Sequence, residues 1–264
     1  MTFLPSRRGR AAAWPGGLET TGAFYCELMA ACMRRTPLWL YLVALVPPAL
    51  VLAAVYAQPF VDPSSLLRDP AAVYRDLGVP AHTAMYYGFV SNLGVLIWSS
   101  ASFICLFVGL VLLASAHDRF AASFMLASGC LTLMFVLDDF FMIHEVVFPS
   151  VTGLNDKYIY IFYAVLFVAY CAVFRLALLR QHGVLLLMAL SFFALSTALN
   201  VVTHAAAFAT LGGLSGREFR YLLEDGTKLF GIFAWVTFHI RAAWNLMGST
   251  RIRDEYRVPL TQTR

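Results

Sequence analysis

The sequence predicts an all-α fold: a polytopic membrane protein built as a bundle of about six transmembrane helices, with both termini on the cytoplasmic side. Three observations lead there. Hydrophobic residues make up 60% of the 264-residue chain and charged residues only 13%, whereas soluble domains carry about a quarter charged residues. Apolar runs long enough to cross about 30 Å of hydrocarbon recur along most of the length, and mean hydropathy is +0.72. The arginines fall mainly in alternate connecting segments, as the positive-inside rule requires.

Each span can be placed from its flanks. The first runs from about Leu38 to Tyr56 and holds Pro47-Pro48 at mid-membrane, where a kink or interruption is expected. Residues 58–80 read as a polar, proline-punctuated loop. The second span covers about Gly88 to Ser115 and the third about Ala121 to Ile143, joined by a tight turn at His117-Asp118-Arg119. The fourth runs from about Tyr158 to Leu179, the fifth from about Val184 to Ala209, and the sixth from about Phe219 to Trp244. This divides the chain into a basic N-terminal segment (1–36), a transmembrane domain (37–247) and a charged tail (248–264). Ser6-Arg7-Arg8 is similar to a twin-arginine signal, but Pro15 and Gly16 break the short apolar stretch that follows. The segment therefore reads as retained, with a short interfacial helix around Glu19 to Arg35.

With the N-terminus inside, Arg7, Arg8, Arg10, Arg34, Arg35, Arg119, Arg180, Arg241, Arg251, Arg253 and Arg257 gather on one side. The cations of the other side, among them Arg68, Arg75 and Lys157, are offset by Asp62, Asp69, Asp76 and Asp156. The expected location is a bacterial inner membrane. A nucleic-acid surface is excluded, because the arginines flank apolar segments rather than forming a stripe. The five cysteines lack CxxC spacing and indicate neither a disulfide framework nor a cysteine-held zinc. Ser102, Gly109 and Gly129 suit close helix contacts, and Phe140-Phe141 and Phe192-Phe193 read as lipid-facing or core.

Ionisable residues in the apolar segments carry the functional reading. The third span ends Leu137-Asp138-Asp139-Phe140-Phe141-Met142-Ile143-His144-Glu145. On a continuous helix Asp138 and Glu145 lie about 20° apart and share a face, while His144 points roughly 120° away. The fifth span carries Thr197, Asn200 and His204 along one face, and the sixth opens with Glu224, Asp225 and Lys228, with Glu224 and Lys228 spaced to pair. All lie toward the outer leaflet. Ionising such acids in an apolar setting costs a few kcal/mol each, so they need protons, cations or a metal to compensate them.

Three function classes follow. In a metal-dependent membrane enzyme acting on a lipid-like substrate, Asp138, His144, His204 and Asp225 hold a divalent ion such as zinc or iron, and Asp139 or Glu145 is the catalytic base. In a proton- or cation-coupled transporter or channel, the same acids form a relay. In a non-catalytic subunit, Asn200, Glu224, Lys228 and their neighbours only hold helices together. The lipid bilayer is the expected partner, with a lipid-like substrate or a cation beside it.

Asp139-x4-His144-Glu145, Phe148-Pro149 and Leu223-Glu224-Asp225-Gly226-x-Lys228-Leu229-x-Gly231 resemble a pattern of uncharacterised multi-pass bacterial membrane proteins, over about residues 120–240. That resemblance implies no activity. A looser similarity is to alkaline ceramidase-like membrane hydrolases, which implies a zinc-dependent hydrolase. This chain departs from them in having six apparent spans and no HxxxH in the last. Glu224-x3-Lys228 also resembles the last helix of microbial rhodopsins, without their arginine–aspartate motif in the third span.

Overall fold

In hydrocarbon a backbone must satisfy its own hydrogen bonds, so apolar runs of this length fold as helices. The computed structural model describes residues 36–68, 70, 86–115, 118–205 and 216–255, and within them the side chains of all but 200–205, 216–220 and 249–255. Every regular element among these residues is helical. The elements are α1 (Leu38–Ala57), α2 (Pro63–Leu67), α3 (Phe89–Ala114), α4 (Arg119–Phe141), a π-helical turn (Ile143–Val147), α5 (Phe148–Thr152), α6 (Lys157–Arg180), α7 (Gly183–Ala205) and α8 (Gly216–Glu255). Four of them, α1, α3, α4 and α6, are long and apolar enough to cross a membrane, and α7 is apolar over Gly183–Leu199. The 40 residues of α8 extend about 60 Å at 1.5 Å per residue.

Local chemistry sets several boundaries. Asp118 caps α4 by accepting from the backbone N–H of Phe120 and Ala121, each at 3.0 Å. Asp62 caps α2 through Ser64 N–H at 2.8 Å. The 58–80 region is thus not wholly a loop: α2 seats Leu66 and Leu67 against Val55, Val90 and Leu229. Gly88 begins α3 at φ +66°, a conformation open to glycine.

Two expectations about helix continuity change. Pro47-Pro48 does not interrupt α1, which stays helical through both. Proline holds φ near a helical value even though each one removes a backbone donor. Pro48 lies on the buried stripe Leu40, Ala44, Pro48, Val55, and α1 packs chiefly on α8. The last helix runs on past the expected end of the sixth span near Trp244, to Glu255. The expected interfacial helix at 19–35 lies outside the described residues.

α3 and α4 form an antiparallel hairpin held by small residues. A Cβ on Gly109 would sit 2.7 Å from Leu126, and one on Gly129 would sit 2.7 Å from Leu106. Ser102 Oγ donates across the same seam to the Gly129 carbonyl at 2.8 Å. These are the close contacts the sequence suggested, and they let two backbones approach without side chains between them. α8 is the hub, packing on α7, α3 and α1. At its centre Trp235, 1% exposed, donates from Nε1 to Thr132 Oγ1 at 3.1 Å. Ser128 spends its proton on the Phe124 carbonyl, so Tyr170 donates to Ser128 Oγ at 2.7 Å.

The outside of the bundle is apolar. On α3 Leu96, Phe103, Phe107 and Leu110 form an exposed stripe, and Phe140 and Phe141 are exposed on α4. Phe193 instead fills the core, stacked on Trp98 against Gly231. A shell of large exposed hydrophobics is what a bilayer-embedded bundle presents.

The hairpin seam gives a direct test. Gly109→Ala and Gly129→Ala should each cost about 1–3 kcal/mol through forced separation of α3 and α4, read as a lower melting temperature in detergent. Gly248→Ala, where an added Cβ meets nothing, should be neutral or slightly stabilising. Equal losses at all three positions would contradict this packing.

Candidate functional site

The acidic end of α4 is shaped by an abrupt change of helix. The α-helix stops at Phe141, and Met142 takes the left-handed conformation at φ 51°. A π-helical turn follows over Ile143–Val147. This break reverses the face assignment expected of a continuous helix: His144, not Glu145, returns to Asp138. The His144 backbone N–H donates to Asp138 Oδ1 at 3.0 Å, and its ring Nδ1 lies 2.6 Å from Oδ2. A carboxylate only accepts, so Nδ1 carries the proton. Tyr163, on α6, donates its hydroxyl to Asp138 Oδ1 at 2.8 Å.

Asp138 is thus buried at 7% exposure and receives three donors, two of them from one histidine. Beyond the ring, His144 Nε2 lies 3.4 Å from Glu145 Oε1, and Glu145 is far more exposed than His144. Tyr160 packs on the His144 ring with centroids 5.0 Å apart. Burial alone would lower the His144 pKa. Hydrogen bonds and charge from Asp138 and Glu145 outweigh it and push the imidazole up to about 9.

Asp139 turns the other way. Its carboxylate forms an ion pair with Lys228 of α8, so Lys228 reaches across to the third span in addition to having a helical neighbour in Glu224. Lys228, Asp139 and Asp225 line one narrow cleft with Ser91, Gly94 and Leu67. Its free space is about 10 Å³, about that of one water position. Gly226 and Gly231 flank Lys228 on the same helix. A Cβ on Gly226 would meet Leu52 of α1 at 3.2 Å, and one on Gly231 would meet Phe193 of α7 at 2.8 Å. The Glu-Asp-Gly-x-Lys-x2-Gly pattern is therefore a hub in which glycines admit two helices and lysine binds a third.

Asp138, Asp139, His144, Glu145, Asp225 and Lys228 all lie at this end of the bundle. Ser196 Oγ ties α7 to α8 through the Glu224 carbonyl at 2.8 Å. Thr197 donates to the Phe193 carbonyl of its own helix at 3.0 Å. Asn200 and His204 are on α7, but their side chains lie outside those described, as does His82. Among the described residues no three histidine, cysteine, aspartate or glutamate side chains form a group that could hold a metal ion. Of the four expected ligands, Asp138 and His144 are in contact, Asp225 lines the other cleft, and the His204 side chain lies outside those described. Tyr163 is the functional side chain that sequence reasoning missed. Its one signal was its position on α6, about a turn beyond Tyr160, where a part-buried hydroxyl finds a partner.

The raised His144 pKa sets a pH dependence. The imidazolium pairing contributes stability in full below the ordinary value of 6.5 and loses it as pH rises through about 9. Melting temperature should therefore fall between about pH 6.5 and 9.5 in wild type, and His144→Gln should flatten that slope. An identical slope in the variant would refute the pairing. Tyr163→Phe should destabilise by about 1–3 kcal/mol, by leaving Asp138 one donor short.

No curated protein and no solved structure matches the chain. A family described as Domain of unknown function (DUF8692) matches residues 39–242, a range holding α1 to α7 and most of α8 together with every residue of this cluster, and the chain belongs to that family.

Proposed function

We propose that this is a six-span membrane protein, with both termini on the cytoplasmic side of a bacterial inner membrane, that couples proton movement to transport. One observation carries the reading: the buried acids at this end are compensated by protein cations that are themselves able to exchange partners. Glu145 stands at the exposed end of a run of close polar contacts, 3.4 Å from His144 Nε2, that continues through Nδ1 to buried Asp138. As the imidazolium, His144 carries a proton on each ring nitrogen, so one titrating ring faces buried Asp138 through Nδ1 and exposed Glu145 through Nε2 and can release a proton to either.

The next acid in sequence is Asp139, whose counter-ion belongs to another helix. Protonating Asp139 removes the charge that holds Lys228, and Asp225 shares the cleft as an alternative partner. An ion pair between two helices that depends on one proton is a two-state element of the kind coupled transport requires.

A second reading, an enzyme acting on a lipid-like substrate, is favoured by a specific feature. An apolar groove of about 770 Å³ runs between α6 and α7, lined by Ala164, Phe167, Leu190, Phe193, Ala194, Thr197 and Ala198. Ala164 adjoins Tyr163, so an acyl chain lying there would bring its head toward the Asp138–His144 dyad. In this reading Asp138 orients the His144 imidazolium as general acid, and Glu145 beside it is the base.

Proteoliposomes with an internal pH dye separate the two. Under an imposed pH gradient and potential, wild type should carry proton flux well above empty vesicles, and Asp139→Asn and His144→Gln should each lose most of it. Flux equal to that of empty vesicles across candidate solutes would rule out the transport reading. Turnover of added lipid that vanishes in His144→Gln would then establish the second.

A further inference from the structure

The opposite end of the bundle carries the reverse imbalance. Arg241 lies 16 residues after Asp225 on α8, about 24 Å along the axis and thus most of a hydrocarbon thickness from the acidic end. Trp244, 67% exposed, marks the same level as an interfacial aromatic. Arg241 is therefore at headgroup depth. Among the described residues its Nε is sealed from solvent without a hydrogen-bond partner, and no described carboxylate forms an ion pair with its guanidinium.

Other polar groups converge beside it. The turn from α6 to α7 places His182 at φ +63°, with its Nδ1 3.1 Å from Thr36 Oγ1. One residue earlier, Gln181 Oε1 accepts from Asn245 Nδ2 at 3.1 Å, and Asn245 is one helical turn beyond Arg241. The 181–182 turn is thus tied to the face of α8 that carries Arg241. Burial, and after it the charge of Arg241, hold the His182 imidazole below its ordinary value.

A guanidinium offers five fixed N–H donors suited to phosphate oxygens. Sealing part of it from water without an acceptor is costly. The anion a bilayer supplies at this depth is the phosphate of a lipid headgroup, and basic pockets between helix ends are where such headgroups bind. We propose that Arg241, with His182 and Asn245 beside it, forms a binding site for a phosphate-bearing anion, the headgroup of an anionic phospholipid. This site is separate from the acidic cluster and does not depend on the transport reading.

The test uses the full chain in detergent, titrated with phosphatidylglycerol, phosphatidylcholine or inorganic phosphate, with melting temperature and native mass spectrometry as readouts. Phosphatidylglycerol should raise the melting temperature several degrees more than phosphatidylcholine and stay bound through delipidation. Arg241→Gln should abolish that difference, Arg241→Lys should keep part of it, and Arg180→Gln, at another basic position of the same end, should keep it whole. If inorganic phosphate reproduces the effect, the site stands with the free anion as its ligand. Equal effects of all three additives on wild type would overturn the proposal, as would a full phosphatidylglycerol preference in Arg241→Gln. If Arg241→Gln does not fold, His182→Asn and the wild-type titrations decide the question on the same criteria.

Discussion

Two adjacent carboxylates buried in an apolar bundle are the constraint on which the rest of this structure depends. Asp138 and Asp139 cannot both ionise in hydrocarbon without compensation. Successive residues on a helix point about 100° apart, so one partner cannot serve both. The protein answers with two different devices. Asp138 is bound within its own segment, because the left-handed Met142 and the π turn fold His144 back onto it. Asp139 is bound from another helix, by Lys228 of α8. The first device shapes the end of α4. The second sets the position of α8 relative to α4, and through α8 the positions of α1, α3 and α7 that pack on it.

The two answers differ in what they permit. The Asp138 group is closed and over-determined, with three donors on one carboxylate and an aromatic ring over the histidine. It still reaches the surface through Glu145, so a proton can enter without dismantling it. The Asp139–Lys228 pair is open on one side to a cleft that holds a second carboxylate, Asp225. Rigidity beside exchangeability is a division that would suit the proposed proton coupling. The loosely packed α6 adds a third element: Tyr163 is its polar tie to the cluster, while Ile161, Val165, Val168 and Val173 face outward.

Much of this was legible from residue types alone. Spans α1, α3, α4 and α6 could be placed from apolar length and flanking charges, the Asp118 cap from its side chain, and the α3–α4 seam from Gly109, Gly129 and Ser102. The cluster's membership was legible too, because charges in apolar runs are conspicuous. Its pairing was not. The face calculation assumed an unbroken helix from Asp138 to Glu145, and Met142 carries no preference for positive φ that would signal the break. Helical spacing suggested Glu224 for Lys228, while the stronger demand came from a buried aspartate on another helix, which no local spacing reveals. The length of α8 was hidden for a different reason: beyond Trp244 its residues are polar, and an apolar boundary is not a helix boundary.

The central claim is that Asp139 and Lys228 compensate each other across helices. The measurement that tests it most directly is a double-mutant cycle in the full-length protein, comparing Asp139→Asn, Lys228→Met and the double variant by reversible unfolding in mixed micelles. The account predicts that each single change costs several kcal/mol, because it strands a buried charge or donor. The double variant should recover much of that loss, giving a coupling energy of about 1–3 kcal/mol. Losses that simply add, with coupling near zero, would show that the two charges do not depend on each other and would contradict the account.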